Sequence, residues 1–168
     1  MKALSIRPPF IWTILYAGKD IENRTWGTRV VGTIALHASS TVSKQEWEDL
    51  SDFLKEHGLP SMPPKETLVK GAIVGVVDIV GCHNPEEGAY PSLWYGDEYG
   101  FVLENPRPLP IPIPIKGKLN LWTIPKEIEE QIWAQIPQIP PNLNWVSPVH
   151  SQKSKKSWIK EMYSKLKK

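Results

Sequence analysis

The stretch "KGAIVGVVDIVGCH" (Lys70–His83) carries the strongest strand pattern in the chain. Its aliphatic residues, many of them β-branched, form a continuous apolar run, which is typical of a strand buried on both faces. The segment "VVGTIALHAS" (Val30–Ser39) is a second confident strand because β-branched residues favour extended backbone. The fold is therefore expected to be built on a sheet.

Shorter strands surround these two segments. "KALSIR" (2–7) predicts a strand, "DIENRTW" (20–26) a strand or strand-like loop, and residues 99–124 two or three short strands. The alternation "LPIPIPI" (109–115) removes a backbone N–H at every second residue. We therefore expect this segment to pair along one edge only.

Three segments predict helices: residues 8–18, 43–58 and 125–136. The first begins with proline and ends at Gly18, and the second opens with a Ser–Glu capping box and ends at a glycine. Long alternation of strands and helices is missing. The pattern therefore favours a mixed α+β fold, a small closed or nearly closed β-barrel with peripheral helices.

The charges divide the chain into two parts. Seven Lys and one Glu give residues 151–168 a charge of +6, whereas 13 Lys and Arg against 17 Asp and Glu give the first 150 residues −4. A body this acidic does not suit a general DNA coat, which needs many phosphate contacts. We interpret residues 1–137 as one domain and residues 138–168 as a proline-rich linker and a basic amphipathic helix. That helix could dock on its own domain, touch nucleic acid or recruit a protein.

Other features exclude whole classes of protein. The longest apolar runs are far shorter than the roughly 20 residues that span a bilayer. Arg7 and Pro8 interrupt the N-terminal stretch where a signal peptide needs apolar residues, so a cytoplasmic protein without a membrane partner is expected. Cys82 has no second cysteine, the four His are scattered, and no phosphate-binding or dinucleotide motif occurs. Neither a metal nor a cofactor is expected.

The stretch "AGKDIENRTW" (Ala17–Trp26) places several charges beside the apolar run "FIWTILY". Ionised side chains are rarely buried unless they are paired or functional. In a regular strand Lys19 and Glu22 would face opposite sides, whereas Glu22 and Arg24 would share one. A turn at Lys19–Asp20 would bring all three together. The set is either an ion-pair cluster that fastens the helix to the barrel rim, or the wall of a polar ligand pocket.

Within this stretch, "GKDIENR" (Gly18–Arg24) resembles the signature of the ASCH (activating signal cointegrator homology) family of PUA-like β-barrels. That signature is a Gly beside a Lys, a Glu or similar residue three places on, and an Arg two further. Residues 4–39 look like the N-terminal half of the family, and residues 99–125 look like its C-terminal strands. The tail after about residue 137 lies outside the resemblance.

The resemblance implies a cleft between barrel and helices, lined by the signature residues, in which PUA-like domains generally bind RNA or single nucleobases. Some small ASCH proteins are instead amidohydrolases that deacetylate N4-acetylcytidine. They are understood to place a Thr nucleophile three residues after the Lys, whereas this chain has Glu22. A Glu can act as a general base or hold a substrate amine, but it is a poor replacement for that nucleophile.

The candidate catalytic residues, if the protein is an enzyme, are Lys19 and Glu22. The candidate residues for binding RNA or a nucleoside are Arg7, Lys19, Glu22, Arg24, Trp26, His37, Ser39, Trp94 and Glu104. Trp26 directly follows the signature and is the best candidate to stack on a base, and Trp94 lies in a polar loop. Arg7 could face the cleft or cap the barrel base. His37 could line the cleft with Ser39 or bond to backbone at the end of its strand. Glu104 belongs to a turn by its chemistry, or to the cleft wall.

These observations predict that the protein binds RNA or a modified nucleoside in the cleft. One alternative is a hydrolase that acts on an acylated nucleoside or on RNA, with Lys19 activating the nucleophile. A further alternative is a protein-interaction module that uses the basic tail and the "PIPIPI" edge.

Overall fold

The computed structural model describes residues 1–136, which form a mixed α+β fold with six strands and three α-helices. The strands are β1 (Lys2–Ile6), β2 (Ile21–Arg24), β3 (Gly32–Ala38), β4 (Ala72–His83), β5 (Tyr99–Pro114) and β6 (Leu121–Thr123). The helices are α1 (Pro8–Tyr16), α2 (Lys44–Glu56) and α3 (Lys126–Gln135). The linker and basic helix predicted for residues 138–168 lie outside the described residues.

All six strands belong to one sheet, in the order β2-β5-β4-β3-β1-β6. The pair β1–β3 is parallel and the other neighbouring pairs are antiparallel. Strand β4 lies inside the sheet between β5 and β3, which explains its continuous apolar sequence. The two strands with the clearest sequence pattern, β3 and β4, are therefore the centre of the fold.

The sheet is curled into a half-barrel. The β4–β5 ladder is irregular at three places, and such bulges bend and twist a sheet. As a result Arg24 at the end of β2 donates from Nη2 to the carbonyl of Ser5 in β1, at 2.9 Å, although three strands lie between them. In a flat sheet, four strand spacings of roughly 4.8 Å would separate these strands. The expected combination of a barrel-like sheet and peripheral helices is confirmed, with the sheet forming a half-barrel.

Each face of the sheet carries its own apolar core, because successive strand residues point to opposite sides. One core contains Leu4 and Leu36 and packs against α1 and α2. The other contains Ala3 and Ala35 and packs against Ile132 of α3. Residues of β1 and β3 therefore alternate between two environments.

The local predictions for the helices are confirmed. Helix α2 starts after Ser43, whose Oγ accepts from the Glu46 N–H at 3.4 Å. Gly18 and Gly58 follow helices with φ of +71° and +63°, the left-handed conformation that ends a helix with least strain.

None of the helices within residues 1–136 is long and apolar enough to cross a membrane.

The prediction for residues 99–124 is wrong in one respect. The segment does form two strands, but β5 alone is 16 residues long and runs through Glu104 and Asn105, where a turn was expected. The backbone of β5 is irregular at Asn105, whose φ is +49°, a conformation that Asn tolerates better than most residues. Because β2 pairs with β5 only over Tyr99–Val102, the proline-rich half of β5 has a strand on one edge alone, as predicted.

Candidate functional site

The end of α1 positions Lys19. Gly18 turns the chain, and the N–H of Lys19 donates to the carbonyl of Thr13 at 3.0 Å. The side chain then runs inward: Lys19 is only 3% exposed, and its Nζ donates to the carbonyl of Ile21. Strand β2 begins only at Ile21, so Lys19 precedes the strand and is not bound by its alternation, and the Lys19 side chain reaches Glu22.

Lys19, Glu22 and Arg24 converge, and we call these three residues the charge cluster. Lys19 Nζ lies 3.5 Å from Glu22 Oε2, and Arg24 Nη2 lies 3.0 Å from Glu22 Oε1. Glu22 is 4% exposed, whereas Arg24 is partly open to solvent. One buried carboxylate is thus shared by two cations. The three side chains converge, which the sequence allowed only if the chain left the strand alternation at Lys19–Asp20.

The charge cluster is not fully satisfied by its own members. Glu22 Oε2 and Arg24 Nε are buried, and neither has a hydrogen-bond partner among residues 1–136. Buried polar atoms in native proteins nearly always have one, so an exception at a polar cluster calls for an explanation. A ligand that offers one donor and one acceptor would satisfy both atoms.

Burial also changes the proton affinity of the cluster. Removal from water lowers the pKa of Lys19 below its usual range, and the carboxylates of Glu22 and Asp20 oppose that shift without cancelling it. Desolvation disfavours the charged form of an amine. A larger fraction of Lys19 is therefore neutral at a given pH than of an exposed lysine, and only the neutral amine can accept a proton.

Trp94 covers Lys19, and its position differs from what its polar loop suggested. Its side chain is 2% exposed, lies 5.7 Å from Lys19 Nζ by its ring centroid, and packs against Phe53 of α2. Asn23 holds the loop: its Nδ2 donates to the Trp94 carbonyl, and its Oδ1 accepts from the Gly96 N–H, both at 2.8 Å. Trp94 is a core residue and not an exposed stacking platform, because β2 anchors the loop that carries it.

Trp26 keeps the position expected of a stacking residue. It is half-buried, and its ring meets Phe101 edge-on with centroids 5.1 Å apart. Phe101 pairs with Glu22 across the β2–β5 ladder. Trp26 is therefore near the cluster in two ways: it follows Arg24 by two residues, and it contacts the cross-strand neighbour of Glu22. Part of its indole remains accessible beside the charged residues.

Arg7 forms a second buried ion pair at the start of α1. It pairs with Glu46 of α2, and Glu46 is 3% exposed while 42% of the Arg7 side chain remains open. Arg7 follows Ser5, the acceptor of the Arg24 bond, by two residues. Arg7 therefore ties α1 to α2. The sequence assigned Glu46 only to a helix cap, and nothing local signalled this pairing.

His37 and Ser39 lie in a separate cavity of about 680 Å³, which we call the strap pocket. It is lined by Ser5, His37, Ser39, Ser40, Gly71, Pro114, Ile115, Lys116, Gly117, Lys118 and Leu119. No residue of the charge cluster lines it. His37 Nε2 faces the Ile115 carbonyl at 2.9 Å, which confirms the interpretation of a histidine bonded to backbone. Burial lowers the pKa of His37, partly opposed by this bond.

Glu104 is not brought to either site. It is an exposed residue of β5 opposite Asp78, and within residues 1–136 no hydrogen bond or ion pair joins it to the charge cluster. Residues 1–136 also contain no group of three His, Cys, Asp or Glu placed to hold a metal ion. The structure thus concentrates the predicted site residues in two places, the charge cluster with Arg7 and Trp26, and the strap pocket.

Comparison with known proteins assigns no family to the chain. No protein-family model matches it, and no curated protein matches it. The geometry of the two sites therefore carries the functional inference.

Proposed function

We propose that the protein binds a nucleotide of RNA or a modified nucleoside at the charge cluster, within a PUA-like barrel of the ASCH type. The observation that carries the proposal is the buried Glu22 carboxylate, shared by Lys19 and Arg24, with Glu22 Oε2 and Arg24 Nε left without hydrogen-bond partners. Buried polar atoms are nearly always hydrogen-bonded in native proteins, so these two atoms are candidates to meet a ligand.

Nucleobases match the two unsatisfied atoms. Their edges place amino or ring N–H donors beside carbonyl or ring-nitrogen acceptors. Glu22 Oε2 would accept from an amine or ring N–H, and Arg24 Nε would donate to the neighbouring acceptor. A ligand that lacks either group would leave one of these two buried polar atoms without a hydrogen bond, which is a source of selectivity.

Two further features support a base rather than another polar ligand. The partly accessible indole of Trp26 lies next to the cluster, and aromatic rings are common platforms for unstacked bases. The pattern Gly18-Lys19-x-x-Glu22-x-Arg24 resembles the ASCH signature, and it runs from the end of α1 into β2 of the curled sheet.

The test is a panel of N4-acetylcytidine, other modified nucleosides and nucleoside monophosphates, in which retention through ultrafiltration is followed by mass spectrometry. We expect one compound to be retained by the wild type and at least tenfold less by Glu22→Gln. The substitution removes a charge-assisted hydrogen bond, worth about 1.5–3 kcal/mol, at almost unchanged volume.

Glu130→Gln is the matched control, because Glu130 is an exposed carboxylate in an ion pair with Lys126. Its retention should equal that of the wild type, and circular dichroism should show both variants folded. Equal retention by the two variants would contradict the proposal, and so would a wild-type protein that retains neither nucleosides nor RNA.

A second candidate function is hydrolysis of an acylated nucleoside, which the lowered pKa of Lys19 favours. Lys19 would accept the proton of an attacking water, and Glu22 would bind the substrate amine or share the proton. In the same panel, the wild type would convert N4-acetylcytidine and water into cytidine and acetate, and Lys19→Met would not. A wild type that leaves every acylated nucleoside intact would eliminate this candidate.

A further inference from the structure

The strap pocket has the size and walls of a site for a flat ligand. Its volume of about 680 Å³ lies within the roughly 300–1,000 Å³ typical of small-molecule sites. Pro114 and Ile115 form an apolar wall, and the neighbouring Leu119 is 89% exposed at the rim. Apolar side chains at an open rim offer contact area for the face of a base.

The pocket also contains buried polar atoms without partners. His37 is 2% exposed, and its Nδ1, against which Gly117 packs, has no hydrogen bond within residues 1–136. Because Nε2 faces a carbonyl, Nε2 carries the proton and Nδ1 is an acceptor in the neutral ring. Ser39 Oγ is buried and unpaired in the same pocket. Two such atoms in one cavity point to a polar ligand.

Cations lie at the mouth of the pocket. Lys116 and Lys118 are exposed on the segment that borders it, and no acidic residue belongs to its lining within residues 1–136. Lysine is well suited to a phosphate as a point charge. The lining thus combines an apolar wall, unpaired polar atoms and positive charge, which are the three elements that recognise a nucleotide.

Ser5 joins this pocket to the charge cluster. Pairing between β1 and β6 ends at Leu4, so the edge of β1 is free of β6 from Ser5 onward. The Ser5 carbonyl accepts from Arg24, and its Oγ donates to the Lys118 carbonyl, both at 2.9 Å. Ser5 therefore contacts both sites, because its carbonyl binds Arg24 of the charge cluster and the residue itself lines the strap pocket.

We infer that the strap pocket is a second subsite for single-stranded RNA and takes a nucleotide next to the one at the charge cluster. The inference rests on the proposed function and narrows it: the ligand is an RNA strand rather than a free nucleoside. The strand crosses the open edge of β1 at Ser5, with one base on each side.

The first test compares a fluorescein-labelled pool of random hexaribonucleotides, measured by anisotropy, with whichever nucleoside the wild type retains in ultrafiltration. The double variant Lys116→Ala/Lys118→Ala should bind the hexamers at least tenfold more weakly at low salt. The slope of log affinity against log salt should become shallower by about 0.7 for each phosphate that the protein no longer neutralises. Retention of the nucleoside should not change.

The matched control is Lys44→Ala/Lys126→Ala, which removes two lysines that are 76% and 85% exposed and lie outside the pocket lining. It changes the net charge by the same amount as the pocket variant. Its hexamer affinity should therefore stay within about twofold of the wild type if the pocket, and not total charge, binds the phosphate.

A second variant tests the buried hydroxyl. Ser39→Ala removes a hydrogen-bonding group that has no partner within residues 1–136, so thermal stability should be equal or higher. Hexamer affinity should nevertheless fall several-fold, an effect that a merely structural serine would not produce.

The outcomes separate the two proposals. Unchanged hexamer affinity in both pocket variants, or no hexamer binding by a wild type that retains a nucleoside, would overturn the subsite and leave the proposed function standing. A wild type that binds neither nucleoside nor hexamer would overturn both.

Discussion

The charge cluster and the strap pocket lie on opposite faces of one sheet and are built in opposite ways. The cluster comes from the six consecutive residues Lys19–Arg24, whereas the pocket draws on segments as distant as Ser5 and Leu119. Glu22 pairs with Phe101 of the larger core, while His37 alternates with Leu36 of that core and points away from it. The residues of the charge cluster lie in one short motif. The strap pocket forms only when distant segments of the folded chain come together.

The two sites also differ in the groups that oppose the effect of burial on the pKa of a buried side chain. Burial lowers the pKa of both Lys19 and His37, but carboxylates oppose the shift at Lys19, whereas a backbone carbonyl opposes it at His37. The pKa of Lys19 thus depends on neighbouring carboxylates, whereas the pKa of His37 depends on a backbone carbonyl. Substitutions at each site test this difference.

The largest effect is expected at the charge cluster. Glu22→Ala leaves Lys19 and Arg24 without their shared carboxylate, and removal of one partner from a buried ion pair costs about 3–5 kcal/mol. Urea denaturation should show this decrease in the free energy of unfolding. Glu130→Ala, which breaks an exposed pair with Lys126, should change it by less than about 1 kcal/mol. Similar decreases in the two variants would mean that the cluster is not held by charge.

A smaller effect is expected at the strap pocket. A Cβ on Gly117 would lie 2.4 Å from His37 Cε1 and 2.7 Å from Nδ1, so Gly117→Ala must displace either the backbone at Gly117 or the imidazole ring. Overpacking of this kind costs about 1–3 kcal/mol.

Gly81→Ala is the matched control for this glycine. Its nearest atom to a new Cβ is Val102 Cγ2 at 4.0 Å, which is ordinary contact. Thermal unfolding should show a lowered Tm for Gly117→Ala and an unchanged Tm for Gly81→Ala. Equal Tm values for Gly117→Ala and the wild type would show that the backbone at Gly117 is free to move away from His37.

The smallest effect concerns pH. Because burial lowers the pKa of His37 below 6.5, the unfolded chain binds more protons than the folded one between the folded-state pKa and 6.5. The free energy of unfolding should therefore fall as the pH falls through this window, by about 1.4 kcal/mol for each unit of lowered pKa. Urea titrations from pH 7.5 to 5 should show a shallower fall for His37→Gln than for the wild type. Parallel curves would contradict a neutral, buried His37.

Much of the local structure and one of the two sites could be predicted from the sequence. Gly18 marked the end of α1, and the turn at Lys19–Asp20 was the condition under which Lys19, Glu22 and Arg24 converge. These features depend on backbone conformation within a few residues, which residue type controls directly.

Other features could not be predicted, because they depend on partners far away in the chain. The polar loop around Trp94 gave no sign that Asn23 anchors it and buries the indole. Glu46 was assigned to a helix cap, although its carboxylate pairs with Arg7. In both cases a residue from another element supplies the contact.

By itself, the sequence determined the strands at the centre of the sheet and the helix ends, since each follows from hydrophobic period or glycine conformation within one segment, and it left the convergence of the charge cluster conditional. The tertiary structure decided that β5 runs unbroken past Asn105, and that Ser5 lies between Arg24 and Lys118. It also decided that His37 faces a pocket apart from the cluster. The physical reason is strand register. Register assigns each side chain to one face of the sheet and determines which distant residues lie beside it. It exists only once the strands have paired and the sheet has curled.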